Sequence, residues 1–462
     1  MTLYDVAHGC RRDALEGGLP LWMAVLGLTD FHLHSKMTST VYNACVLRLA
    51  QRVGDVAGGV PGAGAGGDVA AIFARRRLEY AHDTRFFLLR HWAPYDSVAY
   101  SPQIAARLRT WSDAGRRVLD RLFAELGIPL AEAKSLFVHM SPTAKAALLG
   151  DRLANVAASY GFSEDQDLRF WTFHRSGGPG LSDVAAADVA LGVTALLEGA
   201  DALGSEADAA QGSGGGPQEH GHHTHSQRGF DAALKALSDA NVATLRRGIV
   251  AAQRLQTAVV RCGGGAITHR KVANVGAFRV LNMATGLHHH AAAAGAGAGA
   301  SAADGAASAA CAVAAAAVCA TSSQDVALLL AHPQALLRLG LFIQEALFAQ
   351  RRTRKPLVLA APALNTAGAA GAGAGAAQHM WCHVIGVTAP VPSASDAAGN
   401  RFSLAFRAAA ASSGAPFVHD AFDAACIMVA SHKLGPFLEA VQSELDQLAA
   451  AQAQAGGEDG AR

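Results

Sequence analysis

Large apolar residues recur at helical spacing through most of residues 70–200. A helix is predicted from Ser101-Pro102, an N-cap residue followed by Pro at the first helical position, to Gly127, which ends the run. By the same reasoning, a second helix begins at Ser141-Pro142 and a third at Ser182-Asp183. Because no alternating apolar and polar pattern stands out between them, the prediction for this block is all-helical.

The pattern changes after residue 229, where strand-like and helical runs alternate. A helix is predicted over 230–262, and the glycine run "CGGGA" at 262–266 favours a helix C-cap after it. Strands are predicted at 266–272, 277–283, 325–333, 356–362, 379–387 and 422–430, with helices at 334–352, 401–412 and 435–450. This alternation indicates an α/β domain with a mixed sheet covered by helices. The fold class is therefore α/β plus all-α.

Stretches of low complexity rich in Ala, Gly and Ser divide the chain into blocks. They lack the large apolar residues that offset the entropy of ordering, so we expect flexible segments. The predicted organisation is an N-terminal piece at 1–55, a Gly-rich linker at 56–69, a helical block at 70–200, an insertion at 201–228, an α/β domain at 229–452 with insertions at 288–323 and 366–378, and a disordered tail at 453–462.

The composition limits the classes of protein to which the chain can belong. The 462 residues carry 38 basic and 37 acidic side chains, so no global field attracts nucleic acid or membrane. The seven cysteines include no C-x-x-C pair, which suits a reducing compartment. We expect no signal peptide and no membrane span, since the long uncharged stretch near residue 300 is Ala, Gly and Ser rather than Leu, Ile and Val.

One motif suggests metal chemistry. Asp30, His32 and His34 have D-x-H-x-H spacing after an apolar run, and on a strand the three side chains would share one face. That arrangement predicts a metal-dependent phosphoesterase or hydrolase; the alternative is a helix-to-helix junction. The chain has no P-loop, no G-x-S-x-G motif and no cysteine with a convincing His partner, so we predict that it is not an enzyme and needs no cofactor.

Two further groups are candidates for binding. Residues Arg351, Arg352, Arg354 and Lys355 form a possible nuclear-import or phosphate patch, or equally a solvated helix end. Aromatic residues at helical spacing predict a structural core, formed by Trp92, Tyr95, Trp111 and Phe123. The opposite face of the predicted 102–126 helix is a candidate partner interface or a solvated face, with Arg109, Asp113, Arg116, Arg117, Asp120 and Arg121.

Long collinear stretches of the chain resemble the cell division control protein 45 family. These stretches include "LWMAVLGLTD", "FFLLRHWAPYDSVAYSPQIAARLRTWSDAGRRVLDRLFAELGIPL", "DVALLLAHPQALLRLGLFIQEAL", "PLVLAAP" and "HDAFDAACIMVASHKLGPFLEAV". The resemblance implies a helical interdomain followed by a DHHA1-like α/β domain, in a fold related to DHH phosphoesterases such as RecJ that has lost the metal ligands. It also places Asp30, His32 and His34 on a helix.

The same resemblance implies a role in DNA replication. Family members join the minichromosome maintenance (MCM) ring and the GINS complex in the nucleus, as a non-catalytic subunit of the replicative helicase. Single-stranded DNA, a replication polymerase and loading factors are further implied partners. Residues 1–55 resemble the last helices of the family's DHH-like domain without their sheet, so we expect a truncated gene model, with a genuinely short form as the alternative, and exposed side chains at Trp22, Val25, Leu26 and Leu28.

Overall fold

The computed structural model divides into two compact units, residues 1–104 with 114–254, and residues 105–113 with 255–462. The described residues are 2–10, 19–34, 36–58, 77–162, 168–178, 181–198, 225–238, 241–276, 278–283, 332–350, 353, 355–363, 381–388, 402–419 and 425–459. None of the helices in these ranges is both long enough and apolar enough to span a membrane.

Helices supply most of the elements up to residue 254. They are α1 Thr2–Gly9, α2 Leu19–Leu33, α3 Ser39–Gly58, α4 Pro94–Tyr100, α5 Pro102–Leu108, α6 Asp113–Glu125, α7 Leu130–Ala133, α8 Pro142–Leu149, α9 Asp151–Ser159, α10 Ala186–Leu197, α11 His225–Ala236 and α12 Val242–Thr268. Ser141 caps α8 as predicted, since its hydroxyl accepts a hydrogen bond from the amide of Ala144.

The first unit also contains an antiparallel three-stranded sheet, in the order β1 Arg77–Thr84, β2 Arg169–Gly178 and β3 Leu181–Ala185. The prediction of an all-helical block over 70–200 is therefore wrong. Ser182 and Asp183 lie in β3, and the helix that they were predicted to open begins at Ala186. Strand β1 is largely polar, and its partner lies about 90 residues away, so no local pattern revealed the pairing.

Helix α2 is buried against α10, α1 and α3. The side chains of Trp22, Val25, Leu26 and Leu28 lie in the interior of the unit. The prediction that they would be exposed is wrong, because the predicted domain boundary separated α2 from helix α10 and from the sheet that α3 and α10 contact.

The predicted 102–126 helix is broken. Helix α5 ends at Leu108, and Arg109 adopts a left-handed conformation with φ of 54° before α6 begins at Asp113. Gly127 ends α6, also with positive φ (72°), as its position in the sequence predicted. The turn at Arg109 means that Arg109 does not lie on the helix that carries Arg116 and Arg117.

A six-stranded sheet organises the second unit, in the order β4-β5-β6-β7-β9-β8. The strands are β4 Ala273–Val275, β5 Phe278–Asn282, β6 Leu357–Pro362, β7 Trp381–Val387, β8 Phe417–His419 and β9 Cys426–Ala430. Strands β5 and β6 are parallel and the other neighbours are antiparallel, which confirms the predicted mixed sheet.

Helices cover both faces of this sheet. They are α13 Pro333–Ala349, α14 Phe402–Ser413 and α15 Leu434–Asp459. Val358 and Val384 share a buried cluster with Phe406 of α14 and Phe437 of α15. The alternate strand residues Leu359 and Val387 approach α13 at Gly340. Helix α15 continues to Asp459, which contradicts the predicted disorder of residues 453–459; residues 460–462 lie outside the described ranges.

The glycine run lies inside helix α12 instead of capping it. A Cβ atom at Gly264 would lie 2.3 Å from the Cγ of Trp111, and one at Gly263 would lie 2.6 Å from the Cδ1 of Phe342. The glycines therefore allow these aromatic rings to pack closely against α12. The sequence had instead predicted that the glycines would end the helix. As a result, the strand predicted at 266–272 is wrong: α12 runs to Thr268 and β4 starts at Ala273.

Candidate functional site

Asp30, His32 and His34 do not converge as a strand would require. Asp30 and His32 lie within α2, and His34 follows its end. The Nδ1 atom of His34 lies 3.0 Å from the Oδ1 atom of Asp30. The ring of His32 instead stacks on Tyr42, with centroids 4.1 Å apart. The strand hypothesis for metal binding is thus wrong, and the described residues contain no cluster of three potential metal ligands.

The electrostatics of these side chains fit structural roles. Burial, together with the nearby Arg85 guanidinium, lowers the pKa of His32 to about 4, so the ring is neutral near pH 7. Burial raises the pKa of Asp30, but the hydrogen bond and charge of His34 outweigh it and the net pKa is lowered. Asp30 also accepts a hydrogen bond from Thr194 of α10 at 3.2 Å. These contacts stabilise the packing of α2 against its neighbours.

The four predicted core aromatics are divided between the two units. In the first unit Phe123 is fully buried, and the half-buried Tyr95 ring stacks on it at 5.7 Å. Trp92 is half-buried and stacks on Tyr100 at 5.5 Å. In the second unit Trp111 is half-buried and packs edge-on against Phe342 at 5.7 Å.

One residue of the candidate interface on α6, Asp120, binds a tyrosine hydroxyl. The Tyr95 hydroxyl donates a hydrogen bond to Asp120 at 3.0 Å. Burial and that carboxylate raise the pKa of Tyr95 to about 12, so the phenol keeps its proton. Arg116, Arg117 and Arg121 are exposed on the same helix. Together with Asp120, they form what we call the α6 polar face.

The remaining members of the two predicted patches are placed differently. Asp113 is exposed at the first position of α6, four residues before Arg117, whereas Arg109 is exposed in the turn that precedes the helix. Arg351, Arg352 and Arg354 lie outside the described residues. The Nζ atom of Lys355 donates a hydrogen bond to the carbonyl oxygen of Gly276 at 2.9 Å.

Sequence reasoning missed a buried charged cluster in the first unit. Arg90 donates two hydrogen bonds to the buried carboxylate of Asp83, at 2.8 and 3.1 Å. His174 of β2 lies 3.6 Å from the same carboxylate, and His91 lies 3.5 Å from Asp188 of α10. Burial lowers the pKa of His174, although the Asp83 charge opposes this effect. The cluster joins β1, β2 and α10 to the turn that precedes α4.

The fold is that of an α/β protein with two compact units. One unit is built on a three-stranded antiparallel sheet and the other on a six-stranded mixed sheet. The CDC45 family model matches residues 1–293 and 313–444. The chain therefore belongs to the CDC45 family.

Individual relatives are distant in sequence but align along most of the chain. The cell division control protein 45 homologue of Dictyostelium discoideum is 24% identical over 95% of this chain and 60% of its own length. The Homo sapiens homologue is 23% identical over 96% of this chain and 65% of its own. The chain thus spans less than two thirds of the length of these relatives.

A solved structure has the same fold. The crystal structure of CDC45 from Entamoeba histolytica matches with a TM-score of 0.56 and 16% sequence identity. The match covers 92% of this chain and 68% of that chain.

Proposed function

We propose that this chain is a non-catalytic scaffold subunit of the eukaryotic replicative helicase. In this role it binds the MCM ring and the GINS complex in the nucleus, and is needed for initiation and elongation of DNA replication. The observation that carries the proposal is the family match over residues 1–293 and 313–444. Single-stranded DNA, a replication polymerase and loading factors are further proposed partners.

The α6 polar face supports a docking role. Arg117 and Arg121 are four residues apart and exposed, so they lie on one side of the helix. The adjoining Tyr95 is held by its hydrogen bond to Asp120 and by its stacking on Phe123. Arginine and tyrosine are enriched among the residues that dominate protein–protein binding, and a fixed ring loses little entropy when a partner covers it.

The placement of the D-x-H-x-H residues also supports a role without hydrolysis. Asp30 and His34 pair with each other, while His32 stacks on Tyr42 and contacts Arg85 at 3.3 Å. Each of these side chains contacts a residue of α2 or of a neighbouring element, and the three do not face a common point.

The first test is affinity purification of the tagged endogenous protein from replicating cells, with mass spectrometry of its companions. We expect MCM and GINS subunits in near-stoichiometric amounts. Purification without either complex would contradict the proposed function.

A second test examines the α6 polar face. The double substitution Arg117→Glu/Arg121→Glu should reduce recovery of at least one of the two complexes about tenfold, because reversed charges disfavour a complementary surface. The matched control is Arg228→Glu/Lys235→Glu, which reverses two exposed charges on α11 of the same unit. Equal recovery with both variants would show that the α6 polar face is not part of the docking surface. The family assignment would not be affected.

A further inference from the structure

The segment between α6 and α8 exposes aliphatic side chains. In this segment, residues 130–140, which we call the apolar loop, Leu136 is 52% exposed and Val138 is 67% exposed. Leu130, at the start of α7, is also exposed. Clustered apolar side chains on an otherwise polar surface are typical of interaction sites.

Hydrogen bonds hold the apolar loop in one conformation. The Phe137 amide donates to the Trp92 carbonyl at 3.2 Å, and the Ser141 amide donates to the Glu132 carboxylate at 2.7 Å. Met140 is buried beneath the loop. The aliphatic side chains are therefore presented on fixed backbone, which lowers the entropic cost of binding a partner.

Two lysines flank the aliphatic side chains. The Lys134 Nζ atom lies 5.1 Å from the centre of the Tyr95 ring. The Lys145 Nζ atom lies 5.2 Å from the centre of the Phe137 ring and donates to the Val138 carbonyl at 3.1 Å. Glu132 is the only acidic residue between positions 126 and 150, and its carboxylate accepts the bond from Ser141. Residues 130–145 therefore carry two lysines against one glutamate, and both lysines lie beside the exposed aliphatic side chains.

We propose that the apolar loop is a docking site for an acidic segment of a partner protein that also carries hydrophobic side chains. Leu136 and Val138 contact the hydrophobic side chains of the segment, and Lys134 and Lys145 attract its carboxylates. Single-stranded nucleic acid fits this surface less well, because base stacking uses exposed aromatic rings, and the nearest rings, Phe137 and Tyr95, are half-buried with a lysine over each.

This inference deepens the proposed function and rests on it only for the expectation that the chain docks on other proteins. Its test needs no helicase subunit. Acidic peptides that bind while MCM and GINS fail to co-purify would leave the inference standing and the proposed function contradicted. The reverse result would contradict the inference alone.

The test is selection of a random 16-residue peptide library on the full chain, with counter-selection on the Leu136→Asp/Val138→Asp variant. We expect the enriched peptides to combine Asp or Glu with Leu, Phe or Trp. The best peptide, measured by fluorescence anisotropy, should bind that variant at least tenfold more weakly, and Lys134→Gln/Lys145→Gln about threefold to tenfold more weakly. Circular dichroism of each variant verifies that it is folded.

The matched control is Phe230→Asp/Leu234→Asp, which replaces two apolar side chains on α11 that are each 58% exposed. This variant should bind the peptide like the wild type. Failure to enrich any peptide, enrichment without acidic residues, or equal binding by the Leu136→Asp/Val138→Asp variant would overturn the proposal. Self-association of the wild type that this variant abolishes would assign the loop to a second copy of the chain, and would overturn it as well.

Discussion

The six-stranded sheet contains a wholly apolar buried strand, whereas the three-stranded sheet combines apolar packing with a buried ion pair. Strand β6 of the six-stranded sheet is buried along its whole length, and its side chains pack between helices on both faces. In the three-stranded sheet, β1 carries the exposed Glu79 and His82 beside the buried Asp83, whose charge is matched by Arg90. Apolar packing is insensitive to pH, whereas a buried ion pair fails when either partner is lost. The two units should therefore respond differently to charge and to acid.

The largest expected effect comes from removing the buried carboxylate. Asp83→Ala leaves Arg90 without its bidentate partner in a partly buried position, which should cost about 3–5 kcal/mol of unfolding free energy. Hydrogen exchange followed by mass spectrometry should show lost protection in β2 and unchanged protection in β6. Glu79→Ala, an exposed carboxylate on the same strand, is the control and should change little. Equal loss of protection in both sheets would contradict the contrast between them.

A pH-dependent effect should come next in size. The pKa of His32 is about 4 in the folded chain against an ordinary value of 6.5, so between these values the unfolded chain binds more protons than the folded one. The contribution of neutral His32 to the unfolding free energy of the first unit should therefore be present in full above pH 6.5, and should decrease as the pH falls from 6.5 toward 4. Between pH 7 and pH 5 the loss from this residue is about 2 kcal/mol.

His32→Phe tests the source of that loss, because it keeps a ring to stack on Tyr42 and removes the titrating group. Urea unfolding at pH 7 and pH 5 should show a smaller difference for the variant than for the wild type. The lowered pKa of His174 acts in the same direction, so some pH dependence should persist. An unchanged difference would exclude His32 as a contributor.

The smallest effect concerns packing in the second unit. Gly264→Ala places a Cβ atom against the Trp111 ring, and the overpacking cost of about 1–3 kcal/mol is partly offset by the higher helix propensity of Ala, which leaves a net cost of about 1 kcal/mol. Gly27→Ala, in helix α2 with open space around the new methyl group, should instead stabilise by about 0.5–1 kcal/mol. Both values are accessible from chemical denaturation. A stabilising Gly264→Ala would show that the ring moves aside at little cost.

The sequence predicted the second sheet better than the first for a physical reason. Strands β6, β7 and β9 are apolar runs buried in the sheet, and such runs are recognisable without knowledge of their partners. Strand β1 is largely polar, with one tyrosine, and pairs with β2 across a long separation, so its pairing depends on the fold.

The candidate sites show the same dependence on the fold. The α6 polar face was predicted from helical spacing, but the turn at Arg109 that excludes Arg109 from it follows from backbone conformation. Exposure of Leu136 and Val138 cannot be derived from their apolar character, which predicts burial. It depends on the hydrogen bonds that fix the loop. Asp83 and Arg90 are seven residues apart in the chain, but His174 reaches the same carboxylate from the neighbouring strand β2, which the local sequence does not reveal.

The packing of α2 against α10 has a consequence for biosynthesis. Asp30 and its partner Thr194 are 164 residues apart, so α2 leaves the ribosome well before α10 exists. At roughly 5–20 residues per second, the delay is on the order of 10–30 s. During that interval Trp22, Val25 and Leu26 lack the surface that α10 supplies, although α1 and α3 are available to pack against α2. We expect the nascent chain to engage a chaperone at α2 and to release it once α10 has been synthesised.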